Sequence, residues 1–593
     1  MPIGVSPLLL SIYLFVFSKR KEVWMTKLIL QIEGLQVNYR TDAHWVKGIH
    51  QIDLIQRQGQ NIGIIGESGS GKTTLAMALM GLIESPHQVK GKILYKGTDL
   101  LKLSKNELKA LRWKEIAMVF QNALDVLNPV MTIGEQITER LVELMGYSKE
   151  EASAEQEKLL EMVALEPHWK EAYPHQLSGG MRQRVLIAMA ISCKPKLIIF
   201  DEPTSSLDVI LRKNTIELIK ELQATLGFSM MVISHDLSVM TELSEDLLVM
   251  YAGSIVETGK TDEVIHEANH PYTRGLISSS VQVFPYKDLW GIAGEAANAM
   301  DEGCTFAPRC TQKRESCFIF KPELKSVNPF RKVACHRGGI VHLLEAHNIS
   351  KTYTIGKKKI EAVQGASFYV RHGETVALVG QSGSGKSTLA HMVSGFIPID
   401  QGGVTFEKLP IEDGQVAQRE GGIQLVLQDP FSSISRRLSV ADVIEEPLNI
   451  NGIGSIQERR DRTKEALNAV QLPVHDAFLK RLCSTLSGGQ RQRIAIARAL
   501  VMAPKLLIAD EITSMMDVST QANIMRLLKG LQNTKGFAML YITHNIHLAR
   551  KISERIIVLE NGVIVESGAT SHIMDNTDCC VTQELLETGL KLA

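Results

Sequence analysis

The chain has 593 residues, too many for one hydrophobic core, and its 44% apolar and 22% charged content is ordinary for a globular protein. Its 65 basic and 65 acidic side chains cancel, which leaves no electrostatic footprint for a nucleic acid, and no nucleic-acid partner is expected. Eight cysteines in a chain this long do not make a secreted disulfide scaffold and fit a reducing compartment better.

Residues 8–17 are nearly all apolar and are followed by Lys19, Arg20 and Lys21. That run is shorter than the roughly 20 residues a bilayer requires, and its charges lie on the wrong side for a secretory signal. Met25 opens a fresh start, and 1–24 read as a leader outside the fold.

From there the chain repeats itself. GIIGESGSGKTTLA and ALVGQSGSGKSTLA each follow an apolar, strand-like run (61–65 and 375–379) and lead into a helical segment. This is the context a P-loop requires. Gly66, Gly69 and Gly71, and Gly380, Gly383 and Gly385, let backbone N–H groups curl around phosphate oxygens. Lys72 and Lys386 reach the β- and γ-phosphates, and the Thr73 and Ser387 hydroxyls suit Mg²⁺. One chance match in a chain of this length has odds of about 2%, so two in matching contexts are not accidental. Further pairs keep step: the LSGG tetrads ending at Gly180 and Gly489, the acidic pairs at Asp201 and Asp510, and His235 and His544 are each 309 positions apart. Two homologous units lie in tandem.

Strand-like segments open each unit, at 28–39 and 49–56 and again at 343–353 and 362–370. A charged, periodic helical stretch follows the P-loop, near 139–164 and 456–470. Apolar runs then resume at 196–200, 229–233, 505–509 and 538–542. Strands alternating with helices imply an α/β fold with a largely parallel sheet covered on both faces. The stretch 271–337 lacks strong periodicity and reads as a small appended domain plus linker.

LIIFDE and LLIADE each end a buried strand in two acids, at the sheet edge where ligands bind. Asp201 and Asp510 suit Mg²⁺, and Glu202 and Glu511 can polarise an attacking water. Gln121 and Gln428 follow strands from which an amide can reach both metal and water, and His235 and His544 end strands where an imidazole could contact the γ-phosphate; alone such residues are more often structural, and the repeated spacing is what raises both pairs. Ser178 and Ser487 begin helices with two glycines following each, a second phosphate-binding helix N-terminus per unit. With a P-loop already in each unit, that second anion site is best explained if it serves the other unit's nucleotide.

With these motifs in place, each unit resembles an ATP-binding cassette (ABC) ATPase subunit, and the chain resembles two such subunits fused. The resemblance implies two P-loop cassettes, each with a mainly parallel core, an antiparallel β subdomain and a helical subdomain. A small Cys-containing domain is appended to the first, giving domains at 25–270, 271–340 and 341–593. It implies a head-to-tail sandwich with two ATPs, each with Mg²⁺, at the interface. The ATP-binding set is Tyr39, Gly66, Ser68, Gly69, Gly71, Lys72, Thr73, Thr74, Ser178, Gly179 and Gly180. The second set is Tyr353, Gly380, Ser382, Gly383, Gly385, Lys386, Ser387, Thr388, Ser487, Gly488 and Gly489. Tyr39 and Tyr353 match the position of an adenine-stacking ring, although an edge-strand tyrosine reads the same way. Mg²⁺ falls to Thr73, Gln121 and Asp201, and to Ser387, Gln428 and Asp510. Met181 after the first LSGG, Ile512 after the second acidic pair, SMMD at 514–517 and Asn545 after His544 depart from the family pattern. None is a phosphate, metal or water ligand, so both sites are expected to hydrolyse ATP, with the altered D-loop a source of inequality.

Three stretches outside the catalytic set narrow the resemblance to the peptide-permease branch of importers: QNALDVLNPVMTIGEQI, HPYTRGL and GCTFAPRC with its later VACH. The second unit's LQDPFSSISRRLSVADVIEEPL resembles the partner ATPase of that branch. The implied function is ATP-driven import of di- or oligopeptides, with nickel or metal-chelator complexes as the alternative cargo. Two integral-membrane permeases, an extracytoplasmic solute-binding protein acting indirectly, and a peripheral place on the cytoplasmic face of the membrane come with it. Cys304, Cys310, Cys317 and Cys335 lie within one short segment and suit an iron–sulfur cluster or a zinc, or are plain buried thiols. Two rivals differ in class. A tandem cassette acting on ribosomes usually has a long charged linker, and a DNA-repair ATPase has large insertions before the signature; neither is present.

Overall fold

The structure is a computed structural model that describes residues 27–40, 45–83, 86–121, 126–205, 207–280, 291, 292, 294, 295, 300, 302–411, 415–429, 434–514 and 516–591. The leader 1–24, positions 122–125 and 430–433 of the expected docking segments, and Ser206 and Met515 of the D-loops lie outside the described residues. Two compact units result. Of the described residues, one takes those from 27 to 280 with those within 295–307 and 316–336, and the other takes those within 291–294, 308–315 and from 337 to 591. The stretch 271–340 therefore contributes to both.

In the first unit five parallel strands lie in the order Ile116–Val119, Leu197–Asp201, Ser229–Ile233, Asn61–Ile65 and Asp246–Tyr251, and Ser254–Lys260 adds antiparallel to the last. Each of the three central strands is buried along nearly its whole length, as a sheet covered on both faces demands. Leu28–Arg40, Trp45–Arg57 and His87–Tyr95 form the antiparallel part, joined to the core by the single parallel pair Ser254↔Gln51. The second unit repeats the order with Ile423–Val426, Leu506–Asp510, Ala538–Thr543, Thr375–Val379, Arg555–Glu560 and Val563–Ala569. Its antiparallel sheet, built on His342–Ile355 and Lys358–Arg371, stands separate. The hairpin strands run beyond the apolar alternation that marks them in sequence, because backbone pairing continues to Arg40↔Trp45 and Ile355↔Lys358 through exposed side chains.

The helical insertions begin earlier than their periodicity suggests. Ile133–Met145 and Lys149–Met162 start at capping boxes, Thr132 with Glu135 and Ser148 with Glu151. Ser439 with Asp442 and Ser455 with Glu458 do the same for Val440–Ile450 and Ile456–Ala469. No described helix is long and apolar enough to cross a membrane.

The appended stretch contributes a helix, Pro271–Ser278, and two short strands, Lys325–Asn328 and Arg331–Val333. The second strand pairs with Ser254–Lys260, Glu257 opposite Val333, and so widens the first unit's sheet.

Candidate functional site

Parallel register decides where the chemistry collects. Asn61 lies opposite Met230, and Asp201 opposite Ile233, so strands Asn61–Ile65, Leu197–Asp201 and Ser229–Ile233 end at one edge. Their next residues are Gly66, Glu202 and the Ser234–His235 pair. There a cavity of about 330 Å³ is lined by Gly66, Ser68, Gly69, Gly71, Lys72, Thr73 and Thr74, and by Gln121, Asp201, Glu202 and His235. Eleven positions assigned from sequence are thus brought into one cavity in the first unit. Gly48 and Ser70 also line it.

The glycine requirement is steric. Gly71 caps the helix Lys72–Met80 at φ +96°, and a Cβ there would approach the Gly48 carbonyl to 2.6 Å. Gly385 caps Lys386–Val393 at φ +102°, where a Cβ would meet the Ala362 carbonyl at 2.2 Å. Gly48 and Ala362 thus hold equivalent places under the two loops. No repeated motif marks them, which is why sequence reasoning missed Gly48. Tyr39 sits beside Gly48, whose added Cβ would come within 2.7 Å of the Tyr39 ring and 3.3 Å of Thr74. The tyrosine therefore neighbours a lining residue without lining the cavity itself. Tyr353 is 38% exposed, with the Lys351 ammonium 6.0 Å from its ring centre.

Lys72 Nζ donates to the Gly66 and Glu67 carbonyls at 2.8 and 2.9 Å, and Lys386 Nζ to those of Gly380 and Gln381 at 2.9 and 2.8 Å. Burial pushes both ammonium groups down from the ordinary lysine range, against the pull of the neighbouring acids. Burial likewise pushes the Asp201 and Asp510 carboxyls up, opposed first by hydrogen bonds from Thr73 and Ser387. Asp201 Oδ1 and Asp510 Oδ1 are buried with no hydrogen-bond partner among the described residues. Two buried, unsatisfied carboxylate oxygens, each beside a hydroxyl and a phosphate loop, fit Mg²⁺: a hard cation held by oxygens would satisfy them.

Glu202 and Glu511 have φ of +53° and +44°, a left-handed backbone that L side chains adopt at a cost of about 1–3 kcal/mol. The Glu202 N–H donates to the Ile233 carbonyl at 2.8 Å and the Glu511 N–H to that of Ile542 at 3.1 Å, which fixes the turn. The side chains then differ. Glu202 Oε1 lies 2.8 Å from His235 Nδ1, and Ser234 Oγ donates to Oε2 at 3.4 Å. Glu511 Oε1 lies 3.6 Å from His544 Nδ1 and 3.8 Å from Lys386 Nζ, while the Gln428 amide donates to Oε2 at 3.2 Å. Both arrangements set a carboxylate where it can take a proton from water at the end of a phosphate loop.

Ser178 caps Gly179–Ile191 by accepting from the Met181 N–H at 3.3 Å. Ser487 caps Gly488–Leu500 in a reciprocal box with Gln490. Met181 in place of glutamine removes the return half of that box. Both serines are exposed, and Ser178 is not among the residues lining its own unit's cavity. Asn545 also has a structural counterpart. In the first unit Arg212 pairs with Asp236 at 2.6 Å, and the corresponding positions are Gln521 and Asn545, so both charges are lost together.

The metal expectation for the cysteines finds no support in the structure. Among the described residues no group of three or more His, Cys, Asp or Glu side chains stands together to hold a metal. Cys304 is close enough to Cys317 and Cys335 for their charges to interact, and burial pushes its thiol up to about 11.

Comparison with known proteins agrees with this geometry. The ABC transporter family profile matches residues 49–205 and 363–514, and the profile "Oligopeptide/dipeptide transporter, C-terminal region" matches 256–317. The chain is 34% identical to the oligopeptide transport ATP-binding protein OppD of Mycobacterium tuberculosis, over 94% of this chain and 98% of that one. It is 35% identical to the glutathione import ATP-binding protein GsiA of Salmonella paratyphi A, over 94% and 89%. With two cassette matches, two phosphate loops and near full-length relatives, the chain belongs to the ABC transporter family and is a fused pair of ATP-hydrolysing cassettes.

Proposed function

We propose that this chain powers the import of small peptides through two integral-membrane permeases, from the cytoplasmic face of the membrane. The observation that carries the cargo class is the match of residues 256–317 to the oligopeptide/dipeptide C-terminal region. The names of the relatives, an oligopeptide transporter and a glutathione importer, support a short peptide as cargo. An extracytoplasmic binding protein delivers it, and the permeases dock on the segments that follow Gln121 and Gln428.

In this reading the ATP phosphates lie along the N–H groups of the loops 66–71 and 380–385, with Lys72 and Lys386 neutralising them. Thr73, Gln121 and Asp201, and Ser387, Gln428 and Asp510, would hold Mg²⁺, which when bound would neutralise charge on the phosphates. Each site is completed by the other unit's signature. Ser487, Gly488 and Gly489 serve the first site, and Ser178, Gly179 and Gly180 the second. Ser178 is exposed and does not line its own unit's P-loop cavity, and Ser487 is exposed too, which supports this. ATP closes the pair and moves the permeases. Glu202 and Glu511 take the proton of the attacking water, aided by His235 and His544, and the pair reopens.

The test is affinity capture of tagged protein carrying Glu202→Gln and Glu511→Gln from solubilised membranes in Mg-ATP. Recovery of two multi-span permeases supports an importer, and the ligand of the linked binding protein then identifies the cargo. Ribosomes or nucleic acid without a permease would overturn it.

A further inference from the structure

Helix Pro271–Ser278 takes no part in the chemistry above, yet it reaches the phosphate loop. Tyr272 is fully buried, and its hydroxyl accepts a hydrogen bond from the Glu67 N–H at 2.8 Å. The carbonyl of that same Gly66–Glu67 peptide accepts from Lys72 Nζ, also at 2.8 Å. Tyrosine and lysine thus grip one planar peptide by its two ends, and rotating it would break both bonds at once. The tyrosine is fixed in turn. Its ring lies 4.6 Å from Tyr251 and 5.5 Å from Phe306 of the Cys-bearing segment. Its N–H donates to His270 Nδ1 at 3.1 Å, and the His270 N–H donates to the buried Glu257 at 2.8 Å.

The second unit is built differently at this point. The spacing of 309 that relates Glu202 to Glu511 also relates helix Thr261–His266 to Thr570–Asp575, and fully buried Thr273 to fully buried Thr582. At that spacing Tyr272 corresponds to Val581, which has no hydroxyl to offer the second phosphate loop.

We propose that Tyr272 is a positioning residue for the first nucleotide site alone. By fixing the Gly66–Glu67 peptide it presets Lys72 and the first turn of the loop for phosphate. The equivalent Gly380–Gln381 peptide has the Lys386 bond without a tyrosine hydroxyl from this helix position at its other end, so the first site is the tighter of the two. The inference rests on the reading of both loops as ATP sites.

The test uses Tyr272→Phe in the full chain, which removes only the hydroxyl and keeps the ring against Tyr251 and Phe306. Mg-ATP binding is titrated in a Lys386→Ala background, where the first site is read, and in a Lys72→Ala background, where the second is read. Losing one hydrogen bond is expected to weaken binding about 3- to 10-fold in the first background, with less than about a twofold change in the second. In turnover the loss is expected in KM for ATP, with kcat held. Equal weakening in both backgrounds, or none in the first, overturns the proposal. Amide exchange at Glu67 is independent of nucleotide and should speed up at least about tenfold in Tyr272→Phe. An unchanged Glu67 rate also overturns it. If the Lys386→Ala parent itself fails to bind Mg-ATP, the site reading fails, and the amide rate still decides whether tyrosine holds the loop.

Discussion

Arg331 offers the sharpest test of how the appended stretch is joined to the first cassette. Its guanidinium lies 3.0 and 2.7 Å from Glu257 Oε1, and the two residues are 4% and 0% exposed. Arg331→Met fits the space but leaves the carboxylate buried without its cation. Breaking a buried pair from one side costs about 3–5 kcal/mol. Glu257 keeps two backbone donors, the N–H groups of Asn269 and His270 at 2.9 and 2.8 Å, so the lower end, about 3 kcal/mol, is expected. At roughly 2–4 °C per kcal/mol for a unit of this size, the first unit's melting point should fall by about 6–12 °C. Differential scanning calorimetry reads this directly. Adding Glu257→Gln removes the stranded charge, so the double variant should lose less than the sum of the two single losses. A melting point for Arg331→Met within about 2 °C of the parent would refute the reasoning, because the pair would then contribute no more than an exposed one.

Three further outcomes are expected. Glu202→Gln and Glu511→Gln should each cost their own site about 10²–10⁴-fold in turnover, and should differ in their effect on total ATPase, since Glu202 is held 2.8 Å from its histidine and Glu511 3.6 Å; equal effects would sink the inequality of the sites. Gly385→Ala, at φ +102° and against the Ala362 carbonyl, should abolish Mg-ATP binding in the second unit only and lower its unfolding free energy by about 1–3 kcal/mol, read by nucleotide titration and urea unfolding. Burial pushes the His270 imidazole down to about 3, so the folded chain stays unprotonated there while the unfolded chain takes a proton below 6.5. Its stabilising contribution is complete above pH 6.5 and is lost as pH falls towards 3, about 2 kcal/mol of it by pH 5; urea midpoints should show that slope in the parent and not in His270→Asn.

Sequence alone determined the local chemistry. The phosphate loops, the acidic strand ends and the two histidines are set by short-range rules: a glycine where φ must be positive, and a carboxylate where a buried strand stops. Duplication made each rule legible twice, and the central strands Asn61–Ile65, Ser229–Ile233 and Thr375–Val379 have the bounds that their apolar runs give. Tertiary structure decided what those rules cannot reach. Gly48 enters the cavity because a hairpin strand passes beneath Gly71, and no spacing within the hairpin announces it. The four cysteines look like a ligand set because they are close in sequence, but among the described residues no group of three or more such side chains stands together to hold a metal. Tyr272 reads as part of a family signature, and only the folded chain brings its hydroxyl to the Glu67 amide, 205 residues away in sequence. Contacts of that range depend on how whole elements pack, so their partners cannot be read from the pattern of either segment alone.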